Sequence, residues 1–372
     1  MTSIIYVGMD VHTTNYTLCC YSMEDDRFFA EVQVEPDAKN ILKYLARIEK
    51  QQSRDCRIVC GYEAGCLGYS LYHQLHAHGI GCVILAPTTM MTKPGKRIKT
   101  ERRDARLISK CLAFHTYSPV YIPTEVDDAV KEYIRMRDDA NSALARVKQQ
   151  IIAFCIRHGK IHDGKSYWTN KHLEWLSSLD LGNKILSEVL QEYLIRYYQL
   201  REQVDMYDMR INELAQAEPY RQKVEKLGCF RGIAAHTALS FCVEVGDFRR
   251  FATAQQFASY LGLVPGECSS GDKQQYTGIT KAGNSHLRKL LVETAQVFGR
   301  SATKSRKSVA LKERQARCDS LTVAYADKAN ARLKKKYFKI AMRSKVNIAK
   351  TAVAREMACF IWGMMTDNIS CA

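Results

Sequence analysis

Ser3-Ile4-Ile5-Tyr6-Val7-Gly8-Met9-Asp10 is the stretch that decides how the first part of the chain folds. It is apolar and β-branched, so it predicts a buried strand, and it ends on a carboxylate. Residues 16–23 and 27–35 follow, the latter with Phe29, Val32 and Val34, and three strands in hairpin order fit them. From Asp37 the pattern turns helical, with Ile41, Leu42, Leu45 and Ile48 on one face. Residues 56–61 read as a buried strand, 67–78 as a helix, 82–86 as a short strand and about 101–115 as a further helix. This βββαβαβ order with a closing helix predicts an α/β domain with a mixed sheet.

Pro119 and Pro123 end that pattern and set a first boundary, so residues 1–122 form the first expected domain. In 125–158, Val130, Ile134, Leu144, Val147, Ile151 and Phe154 recur at three and four, and a second long helical stretch covers 184–217. Two long helices joined by a loop over 159–175 predict an antiparallel coiled-coil arm at 123–217 that dimerises, or else an intramolecular helical hairpin. Past Pro219 the glycines become frequent, and 218–372 reads as a third, mainly α-helical domain of short helices and loops.

The net charge is +16 over 372 residues, and it is concentrated. Residues 300–355 hold 17 Lys or Arg against Glu313, Asp319 and Asp327, and residues 93–110 hold eight against Glu101 and Asp104. Two basic blocks on an otherwise slightly acidic chain point to a polyanionic partner, nucleic acid first. The 14 cysteines include no Cys-x-x-Cys pair, which argues against structural zinc. With no secretory leader pattern, free thiols in a reducing cytoplasm are expected instead. His73, His76 and His78 cluster at a helix end without the pattern of a metal site, and the apolar run 357–365 is too short to span a bilayer.

Asp10 and Glu63 each follow directly on a predicted strand, and strand carboxyl ends face the ligand crevice in sheets of this kind. Glu101 and Asp104, three apart on a helix, share one face. Taken singly, each is an ordinary surface acid. Converging, the four would repel one another unless a cation sat among them, and oxygen ligands alone select Mg²⁺ or Mn²⁺. Lys96, Arg97, Lys99, Arg102 and Arg103 surround the last two acids, as suits a site that attracts phosphates.

In chain order these residues resemble a known family: insertion-sequence transposases with an N-terminal RuvC-like acidic nuclease domain and a C-terminal serine transposase domain, best known as bridge-RNA-guided recombinases. The matching stretches are Gly8-Met9-Asp10-Val11-His12, Tyr62-Glu63-Ala64 and Lys99-Thr100-Glu101-Arg102-Arg103-Asp104-Ala105. Further on come Tyr260-Leu261-Gly262-Leu263-Val264-Pro265 leading into Ser269-Ser270-Gly271, then Thr280-Lys281-Ala282-Gly283-Asn284 with Leu287-Arg288, and a closing helix around Ala354-Arg355-Glu356. The resemblance implies an RNase H-like first domain, Asp10, Glu63, Glu101 and Asp104 as metal-binding acids, and Ser270 as nucleophile. It also implies donor and target DNA, a structured guide RNA, a bacterial nucleoid-associated setting, and assembly into dimers through the arm and then tetramers. The family usually has Asp where this chain has Glu101, and Phe230-Arg231-Gly232-Ile233-Ala234 departs from its Pro-Gly-Ile-Gly turn.

Read on its own, Ser269-Ser270-Gly271 is a flexible turn in a polar loop over 267–275. Read as a nucleophile, Ser270 would store the phosphodiester energy as a phosphoserine link and allow rejoining without a high-energy cofactor. Ser269 and Ser285 are its rivals. His286 is the one histidine near in sequence, and activation by metal is preferred to it as a base. Arg288 and Lys289 follow the Gly-Asn turn at a predicted helix start that suits a phosphate. The run Lys334-Lys335-Lys336 with Tyr325, Tyr337 and Phe338 suits strand binding by charge and stacking, a packed helix being the alternative for the aromatics. Two other functions fit less well: a hydrolytic, metal-dependent junction nuclease, and a nucleic-acid binder that has lost its chemistry.

Overall fold

The computed structural model describes residues 3–51, 56–65, 67–90, 101–267, 275–300 and 307–369. Ser269, Ser270, Lys96, Arg97 and Lys99 lie outside the described residues. The chain forms two compact units, Met1–Ile122 and Pro123–Ala372.

The first unit runs β1 (Ser3–Val11), β2 (Tyr16–Ser22), β3 (Arg27–Val34), α1 (Ala38–Gln51), β4 (Cys56–Glu63), α2 (Ser70–Ala77), β5 (Cys82–Leu85) and α3 (Glu101–Ala113). The sheet order is β3-β2-β1-β4-β5. The two hairpin pairs are antiparallel, while β4 lies parallel to β1 and to β5, so the sheet is mixed. Alternation along β1 sends Ile5, Val7 and Met9 into a core with Ile41, Leu45 and Ile48 of α1. Tyr6 goes to the other face, with Ile108, Cys111 and Leu112 of α3. Gly8 shares that second face, and a Cβ built on it would lie 2.1 Å from the Ala105 carbonyl oxygen. Only a glycine lets α3 rest directly on β1 here. Gly61 of β4 is equivalent, since its Cβ would meet Leu112 and Leu85 within 3.0 Å.

The second unit opens with two 33-residue helices, α4 (Glu125–Arg157) and α6 (Lys184–Gln216), with α5 (Asn170–Ser177) between them. Thr124 caps α4 by accepting from the Asp127 amide, and Glu125, Asp127 and Asp128 in the first turn favour the helix dipole. The two long helices pack antiparallel within the chain. Arg137 meets Asp208 and Phe154 meets Tyr193, over a core of Leu144, Val147, Ile151, Leu194 and Tyr197.

Beyond them come α7 (Arg221–Gly228), α8 (Ala235–Val245), α9 (Ala254–Tyr260), the strands β6 (Pro265–Glu267) and β7 (Tyr276–Ile279), α10 (Ser285–Ala295), α11 (Val309–Gln315), α12 (Ser320–Ala341) and α13 (Val346–Met365). Phe230, Phe241, Phe257, Leu291, Leu333 and Met357 form part of one core that also takes in Val130 and Ile134 of α4 and Ile211 of α6. The expectation of short helices is corrected at the end of the chain, where α12 and α13 have 22 and 20 residues. Both lack internal Pro. The small residues Ala349, Ala354 and Ala358 of α13 allow close packing with its neighbours. No helix among the described residues is long and apolar enough to cross a membrane.

Candidate active site

Register and alternation build the acidic site. Gly8 and Asp10 lie two apart on β1 and therefore share the face that α3 covers, as do Gly61 and Glu63 on β4. Asp10 pairs with Thr17, and Thr17 pairs with Gln33, so these three form a row across β1, β2 and β3. Met9 pairs with Tyr62, which puts Glu63 at the next step of the parallel pair, beside Asp10. The close approach at Gly8 then lays the first turn of α3, carrying Glu101 and Asp104, over the row.

Asp10 is only 15% exposed and its carboxylate lies 3.3 Å from Nε2 of His12. Burial pushes its pKa above the ordinary carboxylate value, against the opposing pull of His12, and the charges of Asp104 and Glu101 raise it further. Three acids are thus close enough to repel, and an all-oxygen set under such repulsion fits a hard divalent cation. The four do not close as they stand: among the described residues no group of three or more His, Cys, Asp or Glu has metal-holding geometry. Glu101 is turned toward the other end of the row. Its Oε2 accepts from Gln33 Nε2 at 2.9 Å and from Thr17 Oγ1 at 3.3 Å, at the edge of a cavity of about 270 Å³ also lined by Glu31 and Arg102. The longer glutamate arm makes that reach possible. Glu63 is exposed at the strand end. Of the neighbouring cations, Arg102 and Arg106 contact Glu31 at 3.3 and 2.6 Å, while Arg103 is exposed.

In the second unit β6 and β7 pair antiparallel and flank residues 268–274 in sequence. The foot of this hairpin is tied firmly. Thr280 donates to the Val264 carbonyl, Lys281 to that of Gly262 and Asn284 to that of Tyr260. Gly283, at φ +90°, has no room for a side chain, since its Cβ would lie 2.1 Å from the Tyr260 oxygen. Arg288, expected to grip a phosphate, donates to the Leu261 carbonyl at 2.9 Å and braces the same foot. Lys289 and Ser285 are exposed at the start of α10.

A polar network beside that foot has no local signature in the sequence. His286 places Nε2 2.7 Å from Asp138 of α4 and Nδ1 2.7 Å from Glu244 of α8. Asn284 caps α10 by accepting from the Leu287 amide, and its Nδ2 donates to Glu244 at 2.5 Å. His236 Nε2 approaches Asp138 at 3.0 Å without aligned hydrogen-bond geometry, and Arg137 joins Asp138 to Asp208. Burial alone would lower the His286 pKa, but the hydrogen bonds to Asp138 and Glu244 outweigh it and lift it to about 9. A ring with both nitrogens engaged and a proton held that tightly does not act as a general base near neutral pH. Sequence spacing carries no signal for this network, because its members lie up to 148 residues apart.

In the basic C-terminal region Lys336 pairs with Glu356 at 2.6 Å, and Lys335 is exposed. Tyr325 and Tyr337 belong to the core, which settles the aromatics as a packed helix rather than a stacking surface. Arg332, Lys336, Arg355, Phe360 and Trp362 line a cavity of about 570 Å³. Every described cysteine is a free thiol.

An acidic row on an α/β unit, with a basic helical unit in the same chain, is a layout for enzymes that act on nucleic acid. Comparison with known proteins makes this specific. The profile of the DEDD-type IS110 transposase domain matches residues 7–156, and that of the Transposase IS116/IS110/IS902 family matches residues 225–310. A Sinorhizobium fredii protein, y4qE, described as a transposase, is 36% identical over 82% of this chain and 75% of its own. The transposase for insertion sequence element IS1533 of Leptospira borgpetersenii is 32% identical over 90% of this chain and 95% of its own. That for IS1111A of Coxiella burnetii is 25% identical over 68% and 71%. The chain belongs to the IS110 family of insertion-sequence transposases and is an enzyme that cleaves and rejoins DNA.

Proposed function

We propose that the chain recombines DNA through a covalent serine intermediate, with a RuvC-like, RNase H-like first domain and a serine transposase domain at 218–372, joined by a coiled-coil arm at 123–217. The observation that carries the reading is the acidic row: Asp10 and Glu63 at neighbouring strand ends, with Asp104 close enough to raise the Asp10 pKa. Asp10, Glu63, Asp104 and, after a change of side-chain rotamer, Glu101 would hold Mg²⁺ or Mn²⁺, which supplies charge neutralisation at a phosphodiester. Ser270 Oγ attacks the phosphorus, a Ser–O–P bond forms as the bond to the leaving sugar oxygen breaks, and that oxygen takes up a proton. Attack by the hydroxyl of an incoming strand reverses the step and frees the serine.

Lys96, Arg97, Lys99, Arg102 and Arg103 of one basic block, and Arg288, Lys289, Lys334, Lys335 and Lys336 of the other region, contact phosphates of DNA or of a structured guide RNA. The arm pairs two copies, for which exposed Met206, Met209 and Ile195 on α6 provide apolar surface, and a tetramer assembles from such dimers. The decisive experiment traps the protein–DNA adduct on a strand that cannot rejoin. It forms in the wild type and is absent in Ser270→Ala with DNA binding retained. An adduct that persists in Ser270→Ala and vanishes in Ser269→Ala or Ser285→Ala moves the nucleophile. Cutting by the wild type with no adduct replaces the reading by hydrolysis.

A further inference from the structure

We infer that the Asp138–His286–Glu244 relay is a joint between the two family-matched segments, and that His286 is a positioning residue for strand transfer, fastening α4 and α8 to the start of α10 and the foot of the β6–β7 hairpin. Asp138 belongs to the segment 7–156, whereas Glu244, Asn284 and His286 belong to the segment 225–310. Three helices meet on one imidazole through two contacts of 2.7 Å. The consequence for strand transfer rests on the reading that the residues between β6 and β7 carry the nucleophile.

The geometry makes the link directional. Asn284 sits two residues before His286 and uses both ends of its amide, the oxygen for the α10 cap and the nitrogen for Glu244. Tyr260, whose carbonyl accepts from the Asn284 amide, reaches the Glu244 carbonyl with its hydroxyl at 3.3 Å. The hairpin foot, the helix start and the buried Glu244 therefore move together, and His286 ties them to Asp138 on α4. An imidazole donates to two carboxylates at once only when both nitrogens carry hydrogen, so the joint requires the cation. The charged and titratable groups facing it are Asp138, Arg135 and Arg137 from α4, Glu244 and His236 from α8, and Tyr260 from α9. Arg135 stands 4.0 Å from Glu244 and is half exposed, so it cannot replace the more enclosed imidazolium.

The test uses the full-length protein and duplex DNA carrying the termini of the mobile element that encodes it. Single-turnover adduct formation is followed from pH 6 to 10, with DNA binding measured separately. Wild type is expected to lose rate as pH passes about 9. His286→Gln, which donates at only one end, should cut the rate about tenfold or more while DNA binding stays within a factor of about two, and should flatten the alkaline limb. Glu244→Gln keeps the shape but removes one anion. It should shift the alkaline limb down by about one pH unit, and it keeps the idea testable if His286→Gln fails to fold. A wild-type rate and profile in His286→Gln, or an unmoved limb in folded Glu244→Gln, overturns the joint. Should the wild type cut without any adduct, the serine reading falls alone, and the same comparisons are then made on the rate of strand cutting.

Discussion

Asp10 in the first unit and Asp138 in the second are both partly buried aspartates with a histidine in contact, yet their surroundings act in opposite directions. Around Asp10 burial and the neighbouring carboxylates dominate and hold its pKa above the ordinary value. Around Asp138 burial also disfavours the charge, but His236, His286 and Arg137 overcome it and hold the pKa well below the usual range. One carboxylate is left among other acids and the other is held by an imidazolium and a guanidinium. The difference separates an acid that is kept for a ligand or for chemistry from one that is kept for architecture.

The sharpest way to break this contrast is to remove each charge while keeping its shape. Asp10→Asn should reduce DNA cleavage to background, because a metal-holding oxygen is lost. It should not lower the melting temperature in metal-free buffer, since a repelled charge has been removed from the fold. The wild type should gain stability on adding Mg²⁺ and the variant should not. A cleavage assay with thermal melts at several Mg²⁺ concentrations checks both, and a clear destabilisation by Asp10→Asn would erase the distinction between the two aspartates.

Asp138→Asn should do the reverse and cost about 3 kcal/mol in urea unfolding at pH 7, because it leaves the partly buried Arg137 and His286 cations without their counter-charge. The pH dependence has a defined sign. His286 titrates at 6.5 when unfolded and at about 9 when folded, so its contribution is complete below 6.5 and is lost as pH rises through about 9. Glu244 is depressed below 4.5 and Asp138 below 3.8, so their contributions are present above those values and are lost on acidification. Asp10, raised above 3.8, instead favours the fold as acid protonates it. Unfolding monitored from pH 4 to 10 should show the wild-type alkaline loss, and it should be muted in Asp138→Asn.

The two sites also differ in how far they could be read from sequence. The strand ending at Asp10, the parallel neighbour ending at Glu63 and the helix opening at Glu101 are local patterns, and alternation of period two fixes which side chains share a face. The glycines two residues before Asp10 and Glu63 were visible as well, but their meaning was not, since it takes the Ala105 carbonyl and the Leu112 side chain on α3 to show what they admit. The relay in the second unit was illegible. Asp138 looks like any acid on an amphipathic helix, and only tertiary packing brings it to His286. The lengths of α12 and α13 are hidden in the sequence by the upstream glycines, which serve local turns at Gly262 and Gly283 and say nothing of the helices beyond them.

The smallest expected effect lies within the acidic row itself and turns on one methylene. Glu101 reaches Gln33 and Thr17 with its long arm, so in this arrangement its carboxylate accepts from two neutral donors, while that of Asp10 faces His12. Glu101→Asp should lose the contact at 2.9 Å to Gln33 and bring the charge nearer the backbone of α3, on the side of Asp104. Cleavage should stay within about tenfold of wild type, because an oxygen ligand of the same charge remains in reach of a hard cation. The Mg²⁺ concentration needed for half-maximal rate should change more than the maximal rate does. Gln33→Ala provides the complementary test, freeing Glu101 without shortening it, and should lower that Mg²⁺ requirement. If Glu101→Asp instead abolishes cleavage while Gln33→Ala leaves the Mg²⁺ requirement untouched, the hydrogen bonds at this end of the row do not compete with metal, and Glu101 belongs beside Asp10 in the contrast.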